Sequence, residues 1–317
     1  MRNADFPYLP KDYIQTKEGL IFAVVSYQSH QNKVGCFLRY IPDGKGWKKI
    51  GTNQANRLLE QSYPQYRYQS VQFDATFHAV AVQDIVEHHR PEQALNTILQ
   101  RKPNDEIEEK LHQLLPILIR FGADRDALGL TGSILIGQQN EKSDIDLVVY
   151  GRDSFRQTRQ AVMRAVDEGE LSPLSMLLME ENFERRASDL DFSEFAWHEN
   201  RKFNKAAVDD CKFDIGMVCL AKEAEHDHAD YQKQGIRKFI TTVVDDHRAF
   251  DFPAIYKVDD ELTPEIVSFT HTYIGQAELG EKIEVSGAVE MDIATGKCRL
   301  IVGSTREAQG EYIKVCR

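Results

Sequence analysis

Two aspartates two positions apart, Asp144 and Asp146, stand just ahead of the apolar run Leu147, Val148 and Val149. On an extended strand, residues i and i+2 face the same side, so both carboxylates point one way. Two buried carboxylates so close repel, and one must take up a proton unless a cation relieves them. Oxygen-only donors of this kind suit Mg²⁺ or Mn²⁺. Upstream, Thr131, Gly132 and Ser133 form a small-residue turn that brings backbone N–H groups and a hydroxyl close to a ligand. The stretch from Gly129 to Gly151 reads GLTGSILIGQQNEKSDIDLVVYG, with Ser143 directly before the first aspartate. An acidic hairpin turn beside an edge strand is the competing reading of the same residues.

Further along, Asp214 stands between Phe213 and Ile215 in the run KFDIGMVCL, Lys212 to Leu220. A carboxylate in the middle of an apolar strand is costly to bury without a partner. Asp209 and Asp210 compete with it, although their position before the strand suggests a turn. Arg201, Lys202 and Lys205 also precede that strand, and a triphosphate needs several positive donors; a solvated basic loop is the alternative. His88-His89-Arg90 reads as a polar turn leaving a sheet, because adjacent histidines on an extended segment point to opposite sides. His226 and His228 read as solvated.

The elements that must position these groups follow from periodicity. Leu20–Tyr27 and Val34–Ile41 form a hairpin, Asp43–Gly46 is a second turn, Thr52 caps a helix over 53–61, and 66–86 alternates as strand. Asn104 or Asp105 caps a helix to about Phe121 with Ile107, Leu111, Leu114, Leu115 and Leu118 on one stripe, broken or kinked at Pro116. Arg152–Glu168 is a second helix candidate, and the Met176–Met179 cluster reads as core. The spacing of Ile236, Phe239, Ile240, Val243 and Val244 predicts a helix over 234–247, followed by a linker over 253–264. Alternation over 283–292, a turn at 294–297 and a return through Cys298–Val302 predict a small, barrel-like all-β unit. Its acidic strand surface (Glu281, Glu284, Glu290, Asp292) is the wrong sign for single-stranded nucleic acid.

With Gly132-Ser133, a spacer, and Asp144-Ile145-Asp146-Leu147 in place, the chain resembles the DNA polymerase beta-like nucleotidyltransferase superfamily. The order helix, strand, small-residue turn, acidic strand is the superfamily's order around its metal site. The resemblance implies a central nucleotidyltransferase-like mixed sheet with helices over 101–250; with the N-terminal α+β module over 1–100 and the small β domain over 251–317 read from the patterns above, the expected fold is α+β. It implies transfer of a nucleoside monophosphate from a nucleoside triphosphate to an acceptor, with release of pyrophosphate. Asp144, Asp146 and Asp214 would be catalytic and metal-binding. Gly132, Ser133, Ser143, Arg201 and Lys202 would contact the nucleotide, and Mg²⁺ or Mn²⁺ would be the cofactor. The chain is similar to uncharacterised predicted nucleotidyltransferases of archaea and bacteria, a likeness that names no acceptor: RNA, DNA, protein and small molecule all remain. A non-catalytic nucleotide-sensing or partner-binding module is the alternative.

Composition sets outer bounds. The 317 residues are 42% hydrophobic and 28% charged, which suits a soluble chain of two or three domains. A formal charge of −11 argues against a protein whose whole surface grips nucleic acid. Five scattered cysteines form no C-x-x-C pair, and a reducing cytoplasm is the expected compartment. No membrane span or secretory signal is expected.

Overall fold

The computed structural model describes residues 3, 6–44, 46–70, 75–186, 189–225, 227, 229–304 and 308–317; the His226–His228 pair lies outside the described residues. The chain divides into two compact units, residues 1–165 with 208–228, and residues 166–207 with 229–317. The fold is mixed α+β with three sheets. The division does not follow chain order: both the N-terminal sheet and the acidic strand lie in the first unit.

The first unit opens with β1 (Tyr13–Thr16), β2 (Ile21–Ser29), β3 (Lys33–Asp43) and β4 (Gly46–Lys49), then helix α1 (Thr52–Ser62), β5 (Arg67–Ser70), β6 (Ala75–Ala81) and β7 (Ile85–His89). These strands make one seven-stranded sheet in the order β5-β6-β3-β2-β1-β7, with β4 paired to β3. Alternation along β2 and β3 sends Phe22, Val24, Cys36 and Leu38 to one buried face, where Ala55 and Leu59 of α1 close the core. Each such large side chain stabilises by about 1.5–3 kcal/mol on burial. Gly51 rather than Thr52 is the N-cap of α1, since Thr52 already has helical geometry and its hydroxyl makes no capping bond.

Helices α2 (Pro91–Leu99) and α3 (Glu106–Arg120) lead to β8 (Leu128–Thr131) and β9 (Ile145–Tyr150), followed by α4 (Arg152–Asp167). Asp105 caps α3, its side chain accepting from the Glu108 N–H at 2.9 Å. The helix continues through Pro116 to Arg120, so the expected break does not occur; a single lost backbone bond is tolerated where Leu111, Leu114, Leu115 and Leu118 are all buried.

In the second unit, α5 (Met176–Glu184) and α6 (Phe192–Lys202) precede β10 (Lys205–Val208); β11 (Cys211–Val218) returns to the first unit. A four-stranded sheet runs β10-β11-β9-β8. The remaining strands are β12 (Tyr231–Arg248), β13 (Ala254–Val258), β14 (Glu265–Ser268), β15 (Lys282–Asp292), β16 (Cys298–Val302) and β17 (Tyr312–Val315). Their order is β12-β13-β14-β16-β15-β17, and a further β12–β15 pairing closes β12, β13, β14, β16 and β15 into a ring. Tyr256, Ile266, Ile283, Val285, Leu300 and Ile313 fill its interior, with Met179 and Phe195 from α5 and α6 in the same core.

Two expectations are corrected here. Residues 234–247 are not helical but the body of β12, paired antiparallel with β15 from Tyr231 to Thr242. Helical spacing would bury Ile236, Ile240 and Val244 together, yet they are 80%, 53% and 50% exposed. The β-branched run Ile240–Val244 favours extended backbone, and a long partner strand supplies its hydrogen bonds. The linker over 253–264 contains β13. In α5, Met179 is core whereas Met176 and Leu177 are exposed. Among the described residues no helix is long and apolar enough to cross a membrane.

Candidate active site

β9 lies between β8 and β11. The antiparallel register with β8 sets Thr131 opposite Asp146, and the parallel register with β11 sets Asp214 opposite Asp146. Thr131, Asp146 and Asp214 therefore form a row across three strands. Asp144 lies two positions before Asp146 on the same face. One step before the Phe213–Ile145 pair, the same register brings Lys212 opposite Asp144. Carboxylates thus occupy one diagonal and one column of a cross-strand square, and a lysine fills its fourth corner.

Gly132 closes the site from the turn after β8. Its φ is +73°, and a Cβ added there would lie 2.2 Å from Oδ2 of Asp146, so only glycine lets the backbone pass this close to the carboxylate. Ser133 Oγ donates to Ser143 Oγ at 3.3 Å, and Ser143 Oγ accepts from the Asn140 N–H at 3.0 Å. The two serines thereby tie the Gly-Ser turn to the loop that delivers Asp144.

Charge is concentrated. Burial pushes the Asp146 carboxyl up to about 6, and neighbouring Asp214 and Asp144 push the same way against Lys11 and Lys212. Lys212, with a side chain only 3% exposed, places Nζ 2.7 Å from Asp144 Oδ2 and 3.9 Å from Asp214 Oδ2. Oδ1 of Asp214 is buried and has no hydrogen-bond partner among the described residues. No group of three His, Cys, Asp or Glu side chains is drawn together in ready metal-binding geometry among the described residues. The donor set still suits a hard divalent cation: oxygens only, a carboxylate oxygen without a partner, and a central aspartate whose charge is penalised.

Comparison with known proteins agrees with this geometry. Residues 106–204 match the nucleotidyltransferase domain family. The chain belongs to the DNA polymerase beta-like nucleotidyltransferase superfamily. It is 36% identical over 335 residues to the uncharacterized protein MJ1086 of Methanocaldococcus jannaschii, covering 97% of this chain and 98% of that protein. No solved structure matches. The matched segment contains Gly132, Ser133, Ser143, Asp144 and Asp146, while Asp214 lies beyond its end.

The structure brings these six residues together, but it puts Arg201 and Lys202 in the other unit. Lys202 is 1% exposed, with Nζ 2.5 Å from Glu199 Oε1 and donating to the Thr272 carbonyl at 2.7 Å. Arg201 holds Glu281 at 2.7 Å and lies over the Trp197 ring. Both make ion pairs within their own unit, while Arg201 Nη1 is buried with no hydrogen-bond partner among the described residues. Asp209 and Asp210 have φ of +42° and +62° in the turn joining β10 to β11, so the turn reading applies and Asp214 is the carboxylate that joins the row.

Sequence reasoning missed two lysines beside the carboxylate row. Lys212 was legible in principle, since it precedes Asp214 by two positions on one strand and must share its face. Lys11 was not, because it arrives from the N-terminal sheet. Its backbone has φ +76°; its carbonyl accepts from Thr131 Oγ1 at 2.7 Å, and its N–H donates to Val24 at 3.0 Å. The next residue, Asp12, is buried and accepts from His88 Nε2 at 2.8 Å. His88 is therefore an anchor for the segment carrying Lys11 rather than a polar turn. The Lys11 stem lies over Gly216, 3.6 Å from where a Cβ would stand there.

Proposed function

We propose that this protein is a metal-dependent enzyme that moves a nucleoside monophosphate from a nucleoside triphosphate to an acceptor hydroxyl and releases pyrophosphate. The observation that carries the reading is the cross-strand carboxylate row beside a position that only glycine can occupy, with one oxygen of Asp214 without a hydrogen-bond partner among the described residues. Asp144, Asp146 and Asp214 would hold Mg²⁺ or Mn²⁺, which when bound neutralises charge on the α-phosphate and on the departing pyrophosphate. Gly132 lets the turn backbone approach the triphosphate, and Ser133 offers its N–H and hydroxyl. Lys11 adds a cation on the side of Gly216. The acceptor oxygen attacks the α-phosphorus, its proton passes to Asp214, and the bond from the α-phosphorus to the bridging oxygen breaks as pyrophosphate leaves.

The test is incubation with each labelled triphosphate and Mg²⁺ or Mn²⁺, with and without cell extract, reading pyrophosphate and labelled product. Asp144→Asn and Asp146→Asn should each lower transfer by roughly a hundredfold or more, Asp146→Asn without lowering the melting temperature and Asp144→Asn with a lower one, because it leaves the buried Lys212 without its carboxylate at 2.7 Å. Triphosphate binding with no pyrophosphate under every condition favours a nucleotide-sensing module instead.

A further inference from the structure

Lys212 is a buried cation in direct contact with a carboxylate that the proposed reaction needs. Its Nζ lies 2.7 Å from Asp144 Oδ2 and 3.9 Å from Asp214 Oδ2. Parallel pairing of β9 with β11 sets Phe213 opposite Ile145 and Asp214 opposite Asp146, and so carries Lys212, one residue earlier, alongside Asp144. The lysine is therefore not a flexible surface group that happens to reach a carboxylate. It is the cross-strand partner of one. Without it, three carboxylates on one face would lose a cation that offsets their mutual repulsion, in a site where Asp146 is already penalised for its charge.

We propose that Lys212 is a built-in counter-cation of the carboxylate row, exchanged for a divalent metal ion when Asp144 takes up its ligand role. The inference rests on the reading of Asp144, Asp146 and Asp214 as metal-holding residues and adds a residue that opposes loading. A lysine and a divalent cation draw on the same oxygen, so each weakens the other's hold by the same factor. Lys212 stabilises the metal-free protein and sets a threshold metal concentration below which the site stays closed by its own lysine.

The experiment is Mn²⁺ binding without nucleotide, followed by the electron paramagnetic resonance of free Mn²⁺, in wild type, Asp144→Asn, Lys212→Met and Lys212→Arg. Lys212→Met should bind Mn²⁺ roughly tenfold more tightly than wild type, about 1.4 kcal/mol, and should melt at a lower temperature without metal, with Mn²⁺ restoring it. Lys212→Arg should bind close to wild type. Because Lys212→Met removes charge from a buried cluster and can fail to fold, a second measurement uses wild type alone: saturating Mn²⁺ should speed acylation of the Lys212 amine, read by peptide mass spectrometry. Asp144-dependent Mn²⁺ binding that Lys212→Met leaves unchanged or weakens, or a Lys212 labelling rate indifferent to Mn²⁺, overturns the counter-cation and leaves the carboxylate reading standing. Absence of saturable Mn²⁺ binding in wild type and Lys212→Met alike overturns both.

Discussion

Gly132 and Asp146 constrain each other. A methyl group at 132 would stand 2.2 Å from the Asp146 carboxylate on a backbone with φ +73°. Gly132→Ala is expected to cost roughly 1–2 kcal/mol of stability through backbone strain and to abolish transfer, because the carboxylate must move; turnover and a thermal melt separate the two effects. Asp146 also sets a pH dependence. Its folded value of about 6 lies above the ordinary 3.8, so the folded protein binds this proton more tightly than the unfolded chain does. The group's stabilising contribution is fully present below about pH 4 and is lost as pH rises to about 6. Above that, the charged carboxylate costs up to about 3 kcal/mol. In chelator, Asp146→Asn should melt higher than wild type at pH 7, and the difference should vanish near pH 4.

At the scale of elements, α6 shows how a basic cluster is committed to the fold. Burial alone would raise the Glu199 carboxyl, but Lys202 and Lys205 hold it well below the usual range. Burial brings Lys202 down to about 8, with Glu199 opposing. Lys202 also binds the Thr272 carbonyl and so joins α6 to the segment before β15. Lys202→Met should therefore destabilise the protein by roughly 1–3 kcal/mol, less than a fully orphaned charge would cost because Lys205 still pairs with Glu199. The apparent triphosphate KM should stay within about twofold of wild type. A large KM increase with an unchanged melt would return Lys202 to the phosphate site.

The whole molecule is not a string of consecutive domains. Residues 166–207 belong to the same unit as 229–317, and Met179, Leu190 and Phe195 share a core with Tyr256, Val285 and Leu300. A chain ending at residue 228 keeps the carboxylate row but strips α5 and α6 of the sheet that buries them. Such a truncation should aggregate or be cleaved rapidly within 166–207 in limited proteolysis, whereas the full chain resists there. Equal resistance in both chains would show that α5 and α6 fold without the barrel.

Local spacing determined a good deal. Asp144 and Asp146 share a face because strands repeat every two residues, Gly132-Ser133 marks the turn, and the Asp105 cap with its leucine stripe fixes α3. Asp214 was readable as a carboxylate that an apolar strand does not tolerate alone. Tertiary structure decided the rest. Residues 234–247 fit a helical period and became strand because β15 and β13 supply backbone partners that local pattern does not encode. Arg201 and Lys202 turned inward because Glu199, Thr272 and Glu281 meet them there. Lys11 reached the site through a sheet far away in sequence, and Lys212 met Asp144 only because β11 lies parallel to β9 in one register. Sequence period says which side of a strand a charge occupies; the neighbouring strand says which charge it meets.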